Sequence, residues 1–166
     1  MELVGFGESE GADLLQKLPL FSKLTFEETQ RLAQIATFHE VKPGAVVIEQ
    51  NALGDGLYIV VKGEVSVSRD RDHDGQHSAN EVLGKLGPGE LFGEMSLVDD
   101  LLTSARVTAD TATRLLKLPR REFEGLMSAD DRLALKVYRS FCRTLSDRLR
   151  KSNLQVTDKL LHVTLR

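Results

Sequence analysis

The sequence predicts a mainly β protein: an antiparallel double-sheet β-roll of the jelly-roll type, preceded by helices and followed by one long helix. Three observations lead to this prediction. Short apolar segments separated by turn residues fill residues 45–118, as in two-sheet β proteins. Segments with the helical apolar period of about 3.6 residues come before and after them. The length of 166 residues and the apolar fraction of 41% suit one domain with one sizeable core.

The first helical segment covers residues 12–38 and is predicted to form two helices. The first of these ends at Pro19, which cannot continue a helix, and carries three leucines on one side: Leu14, Leu15 and Leu18. Thr25 begins the second helix, because Glu28 follows it at the spacing of a capping box. A rough apolar stripe then continues along the second helix through Phe26, Leu32, Ile35, Ala36 and Phe38.

Six strands are predicted next, over residues 45–48, 57–61, 65–68, 82–86, 107–109 and 115–118. The second of them is a continuous β-branched and aromatic run, which indicates a strand buried on both faces. The third alternates apolar and polar residues and is therefore predicted to be half-buried. The polar stretch 70–80 is predicted to be a loop.

A short helix from Pro119 and a longer one from Ser128 to about Ser152 are predicted to follow the strands. The long helix carries an apolar stripe formed by Tyr138, Phe141, Leu145 and Leu149. Cys142 lies in this apolar tract and is predicted to be a buried structural thiol. Basic side chains gather near another face, which we interpret as solvated: Arg132, Lys136, Arg139, Arg143 and Arg150.

Composition excludes several classes of protein. The charge of −3, from 22 basic and 25 acidic residues, gives no global basic field for nucleic acid. Apolar stretches are too short to cross a bilayer and the N-terminus resembles no secretory signal, so a cytoplasmic protein without a membrane partner is expected. One cysteine excludes an internal disulfide and a cysteine-rich zinc site. Nucleophile-elbow, Walker and dinucleotide-binding patterns are absent from the sequence, so no enzymatic activity is predicted.

One segment is a candidate for binding a metal ion. Residues 70–81 match the calcium-loop pattern D-x-D-x-D-G-x₅-E, whose carboxylates could converge on a hard cation. Predicted strands rather than helices flank the segment, and His77 stands where such loops carry an aliphatic residue. We therefore favour an acidic hairpin tip. The histidines share no metal-ligand spacing, so no metal site is predicted: His39, His73, His77 and His162.

The stretch with the most chemical content is Gly89–Leu97, followed by Thr103–Val107. A glycine followed by a short helical turn exposes backbone N–H groups that attract an anion. Glu94 cannot bind an anion, but it could accept hydrogen bonds from the hydroxyls of a sugar beside a phosphate. On these residues alone, a tight turn at Gly93 and a helix-favouring Glu94 are the safer explanation, because the short pattern Phe-Gly-Glu is common.

Residues 89–97 resemble the phosphate-binding cassette of the cyclic nucleotide-binding domain family, and residues 42–44, 54–63 and 86–94 agree with it in order and spacing. The resemblance covers roughly residues 14–151. It implies a domain that senses a cyclic nucleotide, cAMP or cGMP, and that has no cofactor. It also implies that Glu94 binds the ribose 2′-hydroxyl, while the amides of Gly93, Met95 and Ser96 and the side chain of Ser104 face the nucleotide. The implied ligand-binding set is Phe92, Gly93, Glu94, Met95, Ser96, Thr103 and Ser104.

The sequence departs from the family pattern at one position. Thr103 stands where the family carries the arginine that pairs with the cyclic phosphate, and Leu102 replaces the proline before it. Loss of such a charge-assisted partner costs about 2–5 kcal/mol. That corresponds to on the order of thirtyfold to several-thousandfold in affinity. Arg106 is expected to point outward rather than to compensate, because side chains alternate along a strand.

These observations divide the chain into an N-terminal tail (1–11), a cyclic nucleotide-binding-like domain (12–152) and a C-terminal extension (153–166). A stand-alone sensor is expected, which signals through its C-terminal helix to a protein partner or to a second copy. DNA binding is not expected, because the 15 residues after Lys151 are too few for a helix-turn-helix. Two alternatives remain: a nucleotide-independent interaction module with a degenerate pocket, and a receptor for another nucleotide such as a cyclic dinucleotide.

Overall fold

The computed structural model describes residues 1–4, 8–73, 76–98 and 101–164, and the side chains of residues 1–2, 11–70, 81–98, 101–150 and 152–153. The first half contains β1 (Glu2–Val4), α1 (Glu8–Lys17), a 3₁₀ turn (Pro19–Phe21), α2 (Phe26–Ile35), β2 (Thr37–Val41), β3 (Val46–Ile48), β4 (Gly56–Lys62) and β5 (Val65–His73). The second half contains β6 (Gln76–Leu86), β7 (Leu91–Phe92), α3 (Met95–Val98), β8 (Arg106–Ala109), β9 (Thr113–Pro119), α4 (Arg120–Ala129) and α5 (Asp131–Thr164).

The strands form two antiparallel sheets, which confirms the predicted double-sheet β-roll with helices at both ends. One sheet has the order β1-β2-β9-β4-β7, and the other has the order β3-β8-β5-β6. The continuous apolar run of residues 57–61 lies in strand β4, which is covered on both faces. Its Leu57 and Ile59 pack under the helices, whereas Tyr58 and Val60 pack between the two sheets. A strand covered on both faces has no position for a solvated side chain.

The predicted capping box begins α2. The Thr25 hydroxyl accepts a hydrogen bond from the Glu28 amide at 3.2 Å, and the Glu28 carboxylate accepts one from the Thr25 amide at 2.7 Å. Lys136 of α5 also donates to the Glu28 carboxylate, at 2.7 Å. Asp130 caps α5 by accepting the Leu133 amide at 3.0 Å. Asp130 also pairs with Arg31 of α2 at 2.6 Å, so Asp130 and Lys136 both attach the start of the long helix to α2.

Several element boundaries differ from the predicted ones. Phe38, predicted to extend the second helix, lies in β2, because pairing with β9 fixes residues 37–41 in an extended conformation. Residues 2–4 of the predicted tail form β1 on the edge of the same sheet. The predicted polar loop 70–80 is mostly a ladder between β5 and β6, since a two-stranded ladder uses backbone groups and tolerates polar side chains.

The long helix α5 also departs from its prediction. It continues to Thr164 rather than ending near Ser152, so it includes most of the predicted extension. Cys142 is exposed rather than buried. Its neighbour Phe141 faces the core. Successive side chains of an α-helix are rotated by about 100° around the helix axis, so Cys142 points away from the core. Leu135 and Leu149, with exposed fractions of 58% and 63%, also remain outside the core.

Candidate ligand-binding site

A cavity of about 440 Å³ lies among the four-stranded sheet, the segment around α3 and the helix α5. Apolar side chains from both sheets contribute to its wall, including Ile48, Val67, Phe92 and Val107. The structure brings all of the residues predicted to bind ligand to this cavity: Phe92, Gly93, Glu94, Met95, Ser96, Thr103 and Ser104. Their contacts with a ligand stay predictions. Two lining residues from α5, Arg148 and Ser152, were not predicted.

Gly93, in the middle of the cassette, has a backbone conformation that favours glycine. Its φ is +84°, and a Cβ built on it would lie 2.5 Å from the carbonyl oxygen of Gly56 on β4. The turn is then held by two local bonds. The Ser96 hydroxyl donates to the Gly93 carbonyl at 3.0 Å, and the Leu97 amide donates to the Glu94 carbonyl at 3.1 Å. The cassette therefore depends on close backbone contact with β4.

Glu94 is buried, with 2% of its surface exposed, and it forms an ion pair with Arg148 of α5. One Arg148 nitrogen donates to the Glu94 carboxylate and another donates to the Leu91 carbonyl. Burial raises the pKa of Glu94, and the charge and hydrogen bond of Arg148 offset part of that rise. The residue predicted to bind a sugar is thus directly connected to the C-terminal helix.

Arg148 could be found in the sequence only by following the buried face of α5. It lies seven residues, about two turns, after the buried Phe141, so helical spacing places a cation on the side facing the domain. The basic side chains singled out in the sequence lie elsewhere. Arg132, Arg139, Arg143 and Arg150 are exposed, as predicted for a solvated face, and Lys136 contacts Glu28.

The side chain of Thr103 forms hydrogen bonds with the backbone of the protein itself. Its hydroxyl donates to the Glu49 carbonyl at 2.5 Å and accepts from the Ala52 amide at 3.0 Å. Its backbone carbonyl also accepts the Asn51 amide at 2.8 Å. The residue is 8% exposed. Where the resemblance predicts an arginine, this chain therefore has a polar connection between the loop before β8 and the loop after β3.

We expect Thr103→Val to lower the free energy of unfolding by about 1–3 kcal/mol, because it leaves the Ala52 amide without its acceptor. Thr108→Val makes the same change on an outward, half-buried position of β8, and its effect should stay within about 0.5 kcal/mol. Urea denaturation of both variants measures the difference. Equal stability of the two would show that the Thr103 hydroxyl contributes nothing to the fold.

Arg106 points away from the cavity, as the alternation along β8 predicts. Its Nε donates to Glu49 at 2.9 Å, and its side chain lies 3.7 Å from Asp70. The neighbour Val107 points inward and lines the cavity. Arg106 therefore does not replace the arginine that the family carries.

The described part of the chain contains no group of three or more acidic, histidine or cysteine side chains placed to hold a metal ion. The calcium-loop candidate at 70–81 lies largely outside the described side chains. Within the same described ranges, no helix has the length and apolar character needed to span a membrane.

Comparison with known proteins identifies the family. A model of the cyclic nucleotide-binding domain matches residues 38–130. The cyclic AMP receptor protein of Thermus thermophilus is 36% identical over 138 residues, which are 83% of this chain and 60% of that protein. The chain spans 28% and 37% of two protein kinase regulatory subunits that it also matches, from Yarrowia lipolytica and Dictyostelium discoideum.

Two solved structures are similar over most of the chain. A cyclic nucleotide-binding domain from Methylobacillus flagellatus has a TM-score of 0.78 and 26% identity, and covers 95% of this chain and 89% of its own. The regulatory subunit of a cAMP-independent protein kinase A from Trypanosoma cruzi, bound to guanosine, has a TM-score of 0.66 and 29% identity, and covers 73% of this chain and 41% of its own. Because the family model spans more than half of the sequence and its cassette falls on the cavity described above, the chain belongs to the cyclic nucleotide-binding domain family.

Proposed function

We propose that this chain is a regulatory domain that binds a ribose-bearing ligand of the cyclic nucleotide class in the 440 Å³ cavity and signals through α5. cAMP and cGMP are the first candidates. One observation carries the proposal: Glu94, the residue implied to bind the ribose, is held by Arg148 of the C-terminal helix. A ligand that engages the carboxylate must change this contact, and the helix will respond to that change.

The ligand step relies on the chemistry of Glu94. A carboxylate accepts several hydrogen bonds at once and donates none when ionised, so vicinal sugar hydroxyls are suitable partners. Because Glu94 is buried, each of these bonds forms in a medium of low dielectric constant, where charge-assisted bonds are stronger than in water. The apolar wall of the cavity would contact the base.

The signalling step relies on the position of Arg148. Its side chain is 37% exposed, whereas that of Glu94 is 3% exposed, so the arginine is the partner that can leave. When ribose hydroxyls occupy the carboxylate, Arg148 loses a bond that holds α5 over the cavity. Ligand binding then shifts the population between two positions of the helix. The contacts of Lys136 and Asp130 keep the beginning of α5 attached while its later turns respond.

The comparisons support a ligand of this class. The Thermus relative is a cyclic AMP receptor protein, and the Trypanosoma cruzi protein is a cAMP-independent regulatory subunit bound to guanosine. Members of this fold thus include proteins described with cyclic AMP and with a nucleoside, which share a ribose. Glu94 is the side chain in this cavity best suited to bind that shared group.

A second copy of the chain is the partner we propose for α5. Leu135, Cys142 and Leu149 recur at every seventh residue, and all three are exposed. Tyr138 and Leu145, three residues after the first two, are half-buried beside them. This is the a/d pattern of a two-stranded coiled coil. The spacing of the first set continues through Val156 and Val163 in the sequence, whereas the second set continues with the polar residues Ser152 and Lys159.

The test is thermal unfolding of the full chain with millimolar cAMP, cGMP, adenosine and guanosine. At least one of them should raise the free energy of unfolding by RT ln(1 + [L]/Kd), and the melting temperature should rise with ligand concentration accordingly. Glu94→Gln should weaken that ligand by at least about tenfold, since it removes a charge-assisted acceptor. Glu90→Gln makes the same change at another lining carboxylate and should bind an uncharged nucleoside normally. Hydrogen exchange in the later turns of α5 should accelerate when the ligand binds.

Two results would contradict the proposal. In one, none of the four compounds shifts the melting temperature. In the other, Glu94→Gln binds as tightly as the natural chain. The first result would favour the alternative of a nucleotide-independent interaction module, which the existing Glu94–Arg148 pair also supports, because that pair already satisfies the buried carboxylate.

A further inference from the structure

The cationic side chains of the cavity are already paired with acids. Among the residues whose side chains the structure describes, the basic ones that line it are Lys85 and Arg148. The Lys85 ammonium lies 2.7 Å from Glu64 and 3.0 Å from Asp110, and these two carboxylates raise the pKa of Lys85. Arg148 is paired with Glu94. Lys85 would leave two carboxylates behind if it approached a ligand. Arg148, once ribose hydroxyls displace it from Glu94, moves away from the cavity with α5 in the signalling step proposed above.

The described residues around Thr103 supply no other cation that could pair with a phosphate. The Thr103 hydroxyl is bonded to the backbone at Glu49 and Ala52. Arg106 lies on the outward face of β8, where Glu49 accepts its Nε–H at 2.9 Å. Ser104 lines the cavity and is exposed, but a serine hydroxyl carries no charge. A phosphate at this end of the cavity would therefore meet backbone amides of the cassette, hydroxyls and apolar atoms, but no unpaired side-chain cation of the described residues.

The described side chains of the cavity wall offer an anion no unpaired cation. Glu90 and Glu94 both line the cavity; Arg148 balances the charge of Glu94, and the Glu90 carboxylate accepts the Gly87 amide at 2.8 Å. Moving a phosphodiester monoanion out of water without a paired cation is costly, and nearby carboxylates add repulsion. A neutral sugar avoids both costs, because its hydroxyls donate to carboxylates.

We infer that the cavity selects an uncharged ribonucleoside over the corresponding 3′,5′-cyclic monophosphate. The inference rests on the proposed function, since it assigns the chemical class of ligand to the same cavity. The ribose hydroxyls bind Glu94, and the base packs on the apolar wall that includes Val67 and Leu86. The volume of about 440 Å³ falls within the range of about 300–1,000 Å³ typical of small-molecule sites.

Isothermal titration calorimetry of the full chain with two matched pairs, guanosine with cGMP and adenosine with cAMP, tests the selection. At least one nucleoside should bind about tenfold or more tightly than its own cyclic phosphate, because the phosphate loses an ion-pair partner. Ser104→Arg places a guanidinium at the cavity while retaining every hydrogen bond of Thr103. It should bind the cyclic phosphate more tightly than Ser104→Gln does, because the glutamine variant adds similar length without charge.

Each outcome decides between the two proposals. A cyclic nucleotide that binds the natural chain as tightly as its nucleoside, or more tightly, overturns the selection and leaves the sensor function standing. Equal affinities of Ser104→Arg and Ser104→Gln for the cyclic phosphates also overturn it, because a missing cation would then not be the cause. If none of the four compounds binds at millimolar concentration, the proposed function itself fails. The natural chain alone decides the first and third outcomes, so the test does not depend on the folding of a variant.

Discussion

Gly93→Ala is expected to lower the free energy of unfolding by about 3 kcal/mol. Two costs combine at this residue. Its φ of +84° lies in the left-handed region, which a side chain disfavours. The new Cβ would also lie 2.5 Å from the Gly56 carbonyl oxygen, a backbone atom of β4 that cannot rotate away. The turn must therefore move, and the cassette must move with it.

Gly84→Ala is the matched control for this prediction. Gly84 also lines the cavity, but a Cβ there meets no atom within 4 Å. Its free energy of unfolding should change by less than about 0.5 kcal/mol. Urea denaturation at one temperature compares both variants with the natural chain. If Gly93→Ala were as stable as Gly84→Ala, the close contact between the cassette and β4 would be wrong.

Leu149→Glu is expected to weaken self-association by on the order of a thousandfold, if α5 pairs with a second copy as proposed. In a symmetric pair, one substitution places a carboxylate at the same seam position of both helices. Leu149 is 63% exposed in the single chain, so the change should not affect the folding of the domain itself. Sedimentation equilibrium measures the dissociation constant, and thermal unfolding of the dilute chain checks the fold.

Arg143→Gln is the matched control for this charge change. It also makes the net charge more negative by one, but it lies on the basic face of α5 rather than on the seam. It should leave self-association within about threefold. Cys142 provides an independent measurement, because in a parallel pair the two thiols would face each other and a mild oxidant would link them. A natural chain that stays monomeric at high concentration would contradict the proposed pairing.

Features that depend on neighbours in the sequence were predicted well. The capping box of Thr25 and Glu28 needs only residues three apart, and it is present as predicted. The two-sided burial of residues 57–61 follows from their unbroken apolar run. The motif around Gly93 also identified one wall of the cavity, because its turn, its short helix and its carboxylate lie within a few residues of one another.

Features that depend on distant partners were not predicted. Phe38 continued the apolar period of a helix, yet pairing with β9 made it part of a strand. Residues 70–80 were too polar to indicate strands, although their backbone groups could pair across a hairpin. Arg148 lies 54 positions from Glu94, and no spacing rule in the sequence connects the two.

The sequence by itself determined the β-roll and the position of the cassette around Glu94, and it shows a threonine at position 103, where the resemblance implies an arginine. Only the tertiary structure decided what these residues do in the folded chain. It directs the Thr103 hydroxyl to the backbone of a neighbouring loop and ties Glu94 to the C-terminal helix. The physical reason is that buried polar groups must find partners in space, and the fold, rather than the order of residues, decides which groups are near enough to bond.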